Sequence, residues 1–213
     1  MTFWQKHKWK IIVPVLIVLV LAAAFVFGDR NMPKQKDTSA QPTVAAPVET
    51  PAGQVEVVEF FAYSCIHCYN FEPLLADWIK KKPVNVVVRR TPVAFSEAFV
   101  PMQRLYYTLE AMGQVEALHE KVFRAYHVDK VKLQDPAVIT EWVAKQGVDV
   151  KKFNELFASF SMAGKAKKAA LLQDAYQVEG TPALGVAGRF YIPGQGPRTI
   201  QIAEALIAQI RKG

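Results

Sequence analysis

Two cysteines are the whole thiol content of this 213-residue chain, and they stand three positions apart in Cys65-Ile66-His67-Cys68. Two thiols at this spacing on the first turn of a helix can close a short disulfide and reopen it. The thiolate is the nucleophile in thiol–disulfide exchange, so the chemistry turns on which sulfur ionises. A helix start leaves backbone N–H groups unpaired and presents the positive end of its dipole, which favours an anion at Cys65. His67, between the cysteines, can add positive charge or a hydrogen bond to the same sulfur. A stabilised thiolate makes the reduced form stable and the disulfide form a strong oxidant. The spacing therefore predicts an oxidant rather than a reductant, with Cys68 more buried and acting as the resolving partner.

Other uses of two cysteines fit less well. A purely structural disulfide over so short a loop would constrain the unfolded chain little. A metal site needs about four ligands. Beyond Cys65, His67 and Cys68 only His119 and His127 are candidates, and they fall in a distant helical region, so no metal is expected. Haem attachment needs His directly after the second Cys, where this chain has Tyr69.

The elements around the pair follow from its neighbours. Val55 to Tyr63 reads as a buried strand leading into the turn, and a strand, Cys-x-x-Cys and a helix in that order is the layout of a thioredoxin-like redox site. Pro73 is expected to bend or interrupt that helix. Val84 to Val88 reads as a second buried strand, bounded by Pro83 and Arg89-Arg90. From Ser96 to about Gln177 the period is helical. Met102, Leu105, Tyr106, Leu109 and Met112 form one apolar stripe, and Val115, Leu118, Val122 and Tyr126 a second. Asp135-Pro136 starts a third helix ending at Gly147. Phe153, Leu156, Phe157 and Phe160 form a fourth stripe, and Met162 to Gln177 a fifth helix. Strands at 183–186 and 189–192 flank Ala187-Gly188 as a hairpin, and a last helix spans about 200–211. This order predicts a mixed α/β sheet with a helical insertion after its second strand.

Two further residues bear on the site. Pro182, after Thr181, stands at the head of a strand, where it removes a ladder donor. In a thioredoxin-like sheet it would be a cis proline facing the cysteines, and the free backbone of Thr181 could pair with an extended substrate segment. Glu59 lies within an apolar strand, where a carboxyl is costly to bury unless paired or protonated. It is a candidate for moving the proton of Cys68.

The N-terminal end has a different character. Lys6, Lys8 and Lys10, with Trp4 and Trp9, precede the charge-free run Ile11 to Phe27. This reads as a transmembrane helix with a cytoplasmic N-terminus, an uncleaved anchor in preference to a removed signal. Residues 31–53 carry four prolines among Ala, Thr and Gln, the composition of a tether. The expected division is an anchor or signal segment at 1–30, a tether at 31–53, a thioredoxin-like domain from 54–95 and 178–213, and an inserted helical domain at 96–177. The net charge of +7 gives no support to nucleic-acid binding, because more than half of the excess lies in residues 1–37.

Glu59 to Pro73, with its Cys65-Ile66-His67-Cys68 core, resembles the active-site segment of the DsbA family of periplasmic disulfide oxidoreductases. The helical block and Gly180-Thr181-Pro182-Ala183 fall where that family has them, so the resemblance covers about residues 54–213. It implies a thioredoxin fold with an inserted α-helical domain, and donation of disulfides to unfolded exported proteins with free thiols. Cys65 would attack and carry the mixed disulfide, Cys68 would resolve it, Pro182 would be the cis proline, and Glu59 the buried acid near the disulfide. Reoxidation would come from a quinone-linked membrane partner resembling DsbB. No cofactor is required, and a monomer in the periplasm, tethered to the inner membrane, is expected. Ile66 stands where the best-studied members have Pro, and Thr181 where they have Val. A reductase or isomerase with the same site is the nearest rival reading, and a peptide-binding chaperone module is the rival of another class.

Overall fold

The computed structural model describes residues 41–42 and 53–211. The apolar run at 11–27 and nearly all of the 31–53 segment lie outside them. Among the described residues no helix is long and apolar enough to cross a membrane.

Strand β1 (Gln41–Pro42) lies at one edge, and β2 (Val55–Phe61) is the inner strand that leads to the cysteines. All seven residues of β2 are buried, as a strand covered on both faces requires. Helix α1 (Ile66–Lys81) crosses over to β3 (Val86–Pro92), which pairs parallel with β2. After a helical block come β4 (Ala183–Val186) and β5 (Phe190–Pro193), and the sheet order is β1-β5-β4-β2-β3. β4 is antiparallel to both β2 and β5, and β1 is antiparallel to β5. The short β1 falls inside the stretch whose composition reads as tether. Its Pro42 sits where proline is tolerated, on an edge strand.

The block between β3 and β4 holds a 3-10 turn (Glu97–Phe99) and five helices: α2 (Val100–Ala111), α3 (Val115–His127), α4 (Pro136–Lys145), α5 (Val150–Phe157) and α6 (Phe160–Ala175). Side chains of Asp135, Asp149 and Ser159 cap the last three by accepting backbone N–H groups. Gly113 and Gly147 supply the positive φ with which α2 and α4 close. Helix α7 (Pro197–Ile210) completes the chain, with its proline in the first turn.

The structure departs from the sequence expectations at further places, beginning with the first strand, which ends at Phe61 and not at Tyr63. Helix α1 runs on through Pro73. The proline removes one backbone donor, but Phe71, Leu75 and Trp78 are buried on either side of it and anchor both halves. The second strand begins at Val86 and continues past Arg89-Arg90 to Pro92, while Val84 is 99% exposed. At the sheet edge its side chains alternate between cover and solvent, and this edge position brings Arg90 inward. Phe160 does not join the stripe of Phe153 and Phe157. Ser159 caps a new helix there and leaves Phe160 97% exposed.

Alternation along β2 divides the core. Val55 and Val57 pack with Phe71, Leu75, Trp78 and Ile207 under α1 and α7. Val58 and Phe60 pack with Tyr176 and Val178 on the other face. Phe61, Tyr63 and Cys68 belong to the core of the helical block, with Leu105, Leu109, Val122 and Phe123. The sulfur chemistry thus sits where sheet and helical block share a core.

Tyr176 reaches the sheet because β4 has no side chain at Gly185. A Cβ there would stand 2.5 Å from Tyr176 Cε1, and the ring is buried and cannot swing away. Gly185→Ala is expected to destabilise the protein by about 1–3 kcal/mol, the usual cost of overpacking. Urea unfolding with an unchanged m-value would check it.

Candidate redox site

The turn Ala62–Ser64 ends β2 and delivers Cys65 to the N-cap of α1. The Cys65 N–H donates to the Ala62 carbonyl at 2.9 Å, which closes the turn. Cys65 keeps an extended backbone, and its Sγ accepts the Cys68 N–H at 3.4 Å. Both cysteines are free thiols, Cys65 half-buried and Cys68 fully buried. Ile66, between them, is 47% exposed and leaves the outer sulfur open on that side.

Thr181 and Pro182 sit against this turn. The Thr181–Pro182 bond is cis, and the Thr181 carbonyl lies 3.2 Å from Cys65 Sγ, where it accepts from the thiol form. Gly194 lets the chain pass close behind the proline, since a Cβ there would collide with the Pro182 carbonyl. The structure therefore brings Cys65, Cys68, Thr181 and Pro182 together.

The two sulfurs differ in acidity. Hydrogen bonding from the Cys68 thiol lowers Cys65 first and foremost; burial opposes it, and the Thr181 side chain and the backbone N–H groups of Cys68 and His67 add to it, bringing Cys65 to about 5. Burial pushes the Cys68 thiol far above its ordinary range, and the neighbouring Cys65 reinforces this. Of the two, only Cys65 is a thiolate at neutral pH. His67 is exposed and contributes to this through its backbone N–H.

Glu59 occupies a separate buried cluster. β2 and β3 place it opposite Arg90, and Arg90 Nε lies 3.1 Å from Glu59 Oε2. Arg90 Nη2 also donates to Glu72 of α1, and His119 Nε2 of α3 faces the other Glu72 oxygen at 3.3 Å. Burial raises Glu59 to about 8, and Glu72 adds to the rise against the opposing pull of Arg90. Burial also opposes ionisation of Glu72, but His119 and Arg90 outweigh it and hold its carboxyl below the usual value. Burial lowers His119 despite Glu72 beside it. At neutral pH the cluster thus carries one guanidinium, one carboxylate, one protonated carboxyl and one neutral imidazole, which balances its charge. Glu72, Arg90 and His119 also line a cleft of about 590 Å³ between α1 and α3.

His119 and His127, far from the cysteines in sequence, are close to them in space. Both reach Tyr63, two residues before Cys65: His119 at its hydroxyl and His127 at its carbonyl. Neither Arg90 nor these histidines stands out as a site residue in the sequence. The signal available is the spacing of His119, Phe123 and His127 at four-residue steps, which puts all three on one face of α3.

Two pH dependences follow. A depressed Cys65 pKa gives the reduced protein stability that is fully present above pH 9 and is lost as pH falls to about 5. With solvent screening of a half-exposed sulfur allowed for, the full contribution is on the order of 2–3 kcal/mol. Reduced wild type is expected to gain on reduced Cys65→Ser across this window in thermal melts, and the thiolate absorbance to titrate near pH 5. The raised Glu59 has the opposite sign: its contribution is greatest below its ordinary pKa of 4.5 and is lost as pH rises to about 8. In the oxidised protein, where no thiolate interferes, Glu59→Gln is expected to gain stability on wild type over that range, measured by urea unfolding at several pH values.

The chain matches the model of the DSBA-like thioredoxin domain over residues 56–205. It is 37% identical over 203 residues to the thiol:disulfide interchange protein DsbA of Bordetella parapertussis, covering 93% of this chain and 96% of that one. It is 37% identical over 207 residues to its namesake in Pseudomonas aeruginosa, covering 92% and 96%. The crystal structure of P. aeruginosa DsbA superposes with a TM-score of 0.77 at 35% identity, over 82% of this chain and 93% of that one. The oxidoreductase DsbA of Xylella fastidiosa gives 0.77 at 26% identity, over 82% and 96%. The strand–turn–helix that carries Cys65 and Cys68, the helical block between β3 and β4, and these likenesses agree: the chain belongs to the DSBA-like thioredoxin domain family.

Proposed function

We propose that the chain is a thiol:disulfide oxidoreductase that donates the Cys65–Cys68 disulfide to exported proteins. The observation that carries this reading is the contrast between the two sulfurs: an accessible one held as thiolate, and a buried one held as thiol. A substrate thiolate attacks Cys65 Sγ, the Cys65–Cys68 bond breaks, and Cys68 leaves with the electron pair and takes up a proton. A second substrate thiolate then attacks the substrate sulfur of the mixed disulfide and expels Cys65. The low Cys65 pKa makes it a good leaving group, so the release step runs toward oxidised substrate. Two substrate thiols lose two protons while Cys68 gains one, so each turnover at neutral pH releases one proton.

Thr181 and Pro182 are assigned to substrate binding. The Thr181 carbonyl, 3.2 Å from Cys65 Sγ, lies where an extended peptide joined to that sulfur would align its backbone. His67 supplies a backbone donor to the thiolate and an exposed imidazole at the surface that substrates meet. Glu59, protonated by burial, is assigned the role of proton reservoir beneath the site. Its side chain faces Arg90, so any exchange of a proton with Cys68 passes through intervening groups.

The wider setting belongs to the same proposal. Residues 54–95 and 178–213 form the redox domain, and 96–177 the insertion. The charge-free run after Lys10 anchors residues 1–30 in the inner membrane as a transmembrane helix. The segment at 31–53 is a tether, within which Gln41 and Pro42 pair with β5. The redox domain works in the periplasm, as a monomer, and a DsbB-like quinone-linked membrane protein reoxidises it. Equilibration of the full chain with glutathione tests the direction of electron flow. A potential near the about −120 mV of DsbA is expected, and one near the about −270 mV of thioredoxin would make the protein a reductase. Cys65→Ser is expected to abolish oxidation of a reduced peptide, and Cys68→Ser to trap a mixed disulfide when its Cys65 thiolate attacks the disulfide of an oxidised peptide and releases one peptide thiolate, both read by mass spectrometry.

A further inference from the structure

Helix α3 meets the redox turn through two histidines, and each makes the same kind of connection. His127 Nε2 lies 2.9 Å from the Tyr63 carbonyl, so this nitrogen carries the proton and donates it. The same ring stacks on Tyr69 of α1, with centroids 5.5 Å apart and planes 12° apart. One imidazole therefore holds both flanks of the Cys-x-x-Cys segment, the residue two before Cys65 and the residue one after Cys68.

His119 repeats the arrangement two turns earlier. Its Nε2 lies 3.3 Å from the Glu72 carboxylate of α1, a close approach without hydrogen-bond geometry. Its Nδ1 and the Tyr63 hydroxyl are hydrogen-bonded at 2.8 Å. Phe123, between the two histidines, closes the face, edge-on to Tyr63 with centroids 4.9 Å apart. Tyr63 is buried and is gripped at its hydroxyl, its ring and its carbonyl by one helix face.

We propose that His127 and His119 are positioning residues for the redox reaction. Each ties Tyr63, in the turn before Cys65, to helix α1, which carries Cys68, and so fixes the N-cap geometry in which Cys65 Sγ receives its hydrogen bonds. The Cys68 N–H reaches Cys65 Sγ at 3.4 Å, so this bond depends on where the turn holds the sulfur. The histidines touch neither sulfur nor substrate; their effect on the chemistry passes through Tyr63.

The inference rests on Cys65 and Cys68 being the reacting pair, and the experiment separates the two. Thiolate absorbance of the full reduced chain is titrated, and its equilibrium with glutathione is measured, for wild type, His127→Ala, His127→Gln, His119→Ala, Tyr63→Phe and the His119→Ala/Tyr63→Phe pair. His127→Ala is expected to move the Cys65 midpoint upward by roughly half a unit and the glutathione equilibrium by about threefold, the effect of one lost hydrogen bond. His127→Gln, whose amide can still donate to the Tyr63 carbonyl, recovers most of the shift. Tyr63→Phe matches His119→Ala, and the pair adds nothing further. Variants that lose stability while midpoint and equilibrium stay at wild-type values would overturn the proposal and leave the histidines purely structural. Should the alanine variants fail to fold, His127→Gln and Tyr63→Phe decide it: wild-type values for Tyr63→Phe together with a full shift for His127→Gln overturn it. A wild-type midpoint near 9 would instead defeat the reading of Cys65 as the reacting thiolate.

Discussion

Two sulfurs three residues apart in sequence are held in contrasting environments, one half-exposed at a helix mouth and one fully buried. Everything else in the site serves that difference. Cys65 ends an extended backbone at the mouth of α1, where unpaired N–H groups and partial solvation stabilise an anion. Cys68, one turn on, faces inward among Phe61, Tyr63 and the residues of the helical block. Cys65 caps the helix from outside it and stays half-exposed, while Cys68 sits inside its first turn and is buried, and that contrast at the helix end becomes a difference in acidity.

Beneath the turn the protein buries charge, and the arrangement follows a simple rule of neutrality. Arg90 enters from the edge strand and lies between Glu59 and Glu72. One guanidinium cannot hold two carboxylates in a dry interior, so the more deeply buried Glu59 keeps its proton while Glu72 ionises. His119 stays neutral, with its Nε2 against Glu72 and its Nδ1 hydrogen-bonded to the Tyr63 hydroxyl. The charge cluster and the redox turn therefore meet at His119, with Tyr63 as the joint.

Much of this architecture is legible in the sequence because it is local. The buried strand to Phe61, the Cys-x-x-Cys turn, the hairpin about Ala187-Gly188 and the helical stretch all follow from patterns within some fifteen residues. Thr181 and Pro182 are legible from their place at the head of a strand. What escapes is whatever depends on partners far along the chain. Pro73 reads as a helix breaker, yet packing on both sides of it carries α1 through. Arg90 reads as the polar end of a strand, whereas parallel pairing with β2 sets it opposite Glu59. His119 and His127 read as residues of a remote helix, because nothing in the helical pattern says which face of α3 will meet Tyr63.

The insertion of the helical block between β3 and β4 has a consequence for how this chain can change over evolutionary time. Residues on both sides of that junction meet at a single aromatic side chain, so the block is not a freely exchangeable module. A recombination event that imported α3 from a distant cousin would bring a helix face shaped for another loop, and the mismatch would fall beside the reactive sulfur. Tyr63, His119 and His127 should therefore be inherited as a set, and divergence in surface loops can proceed quickly while this trio drifts only in concert.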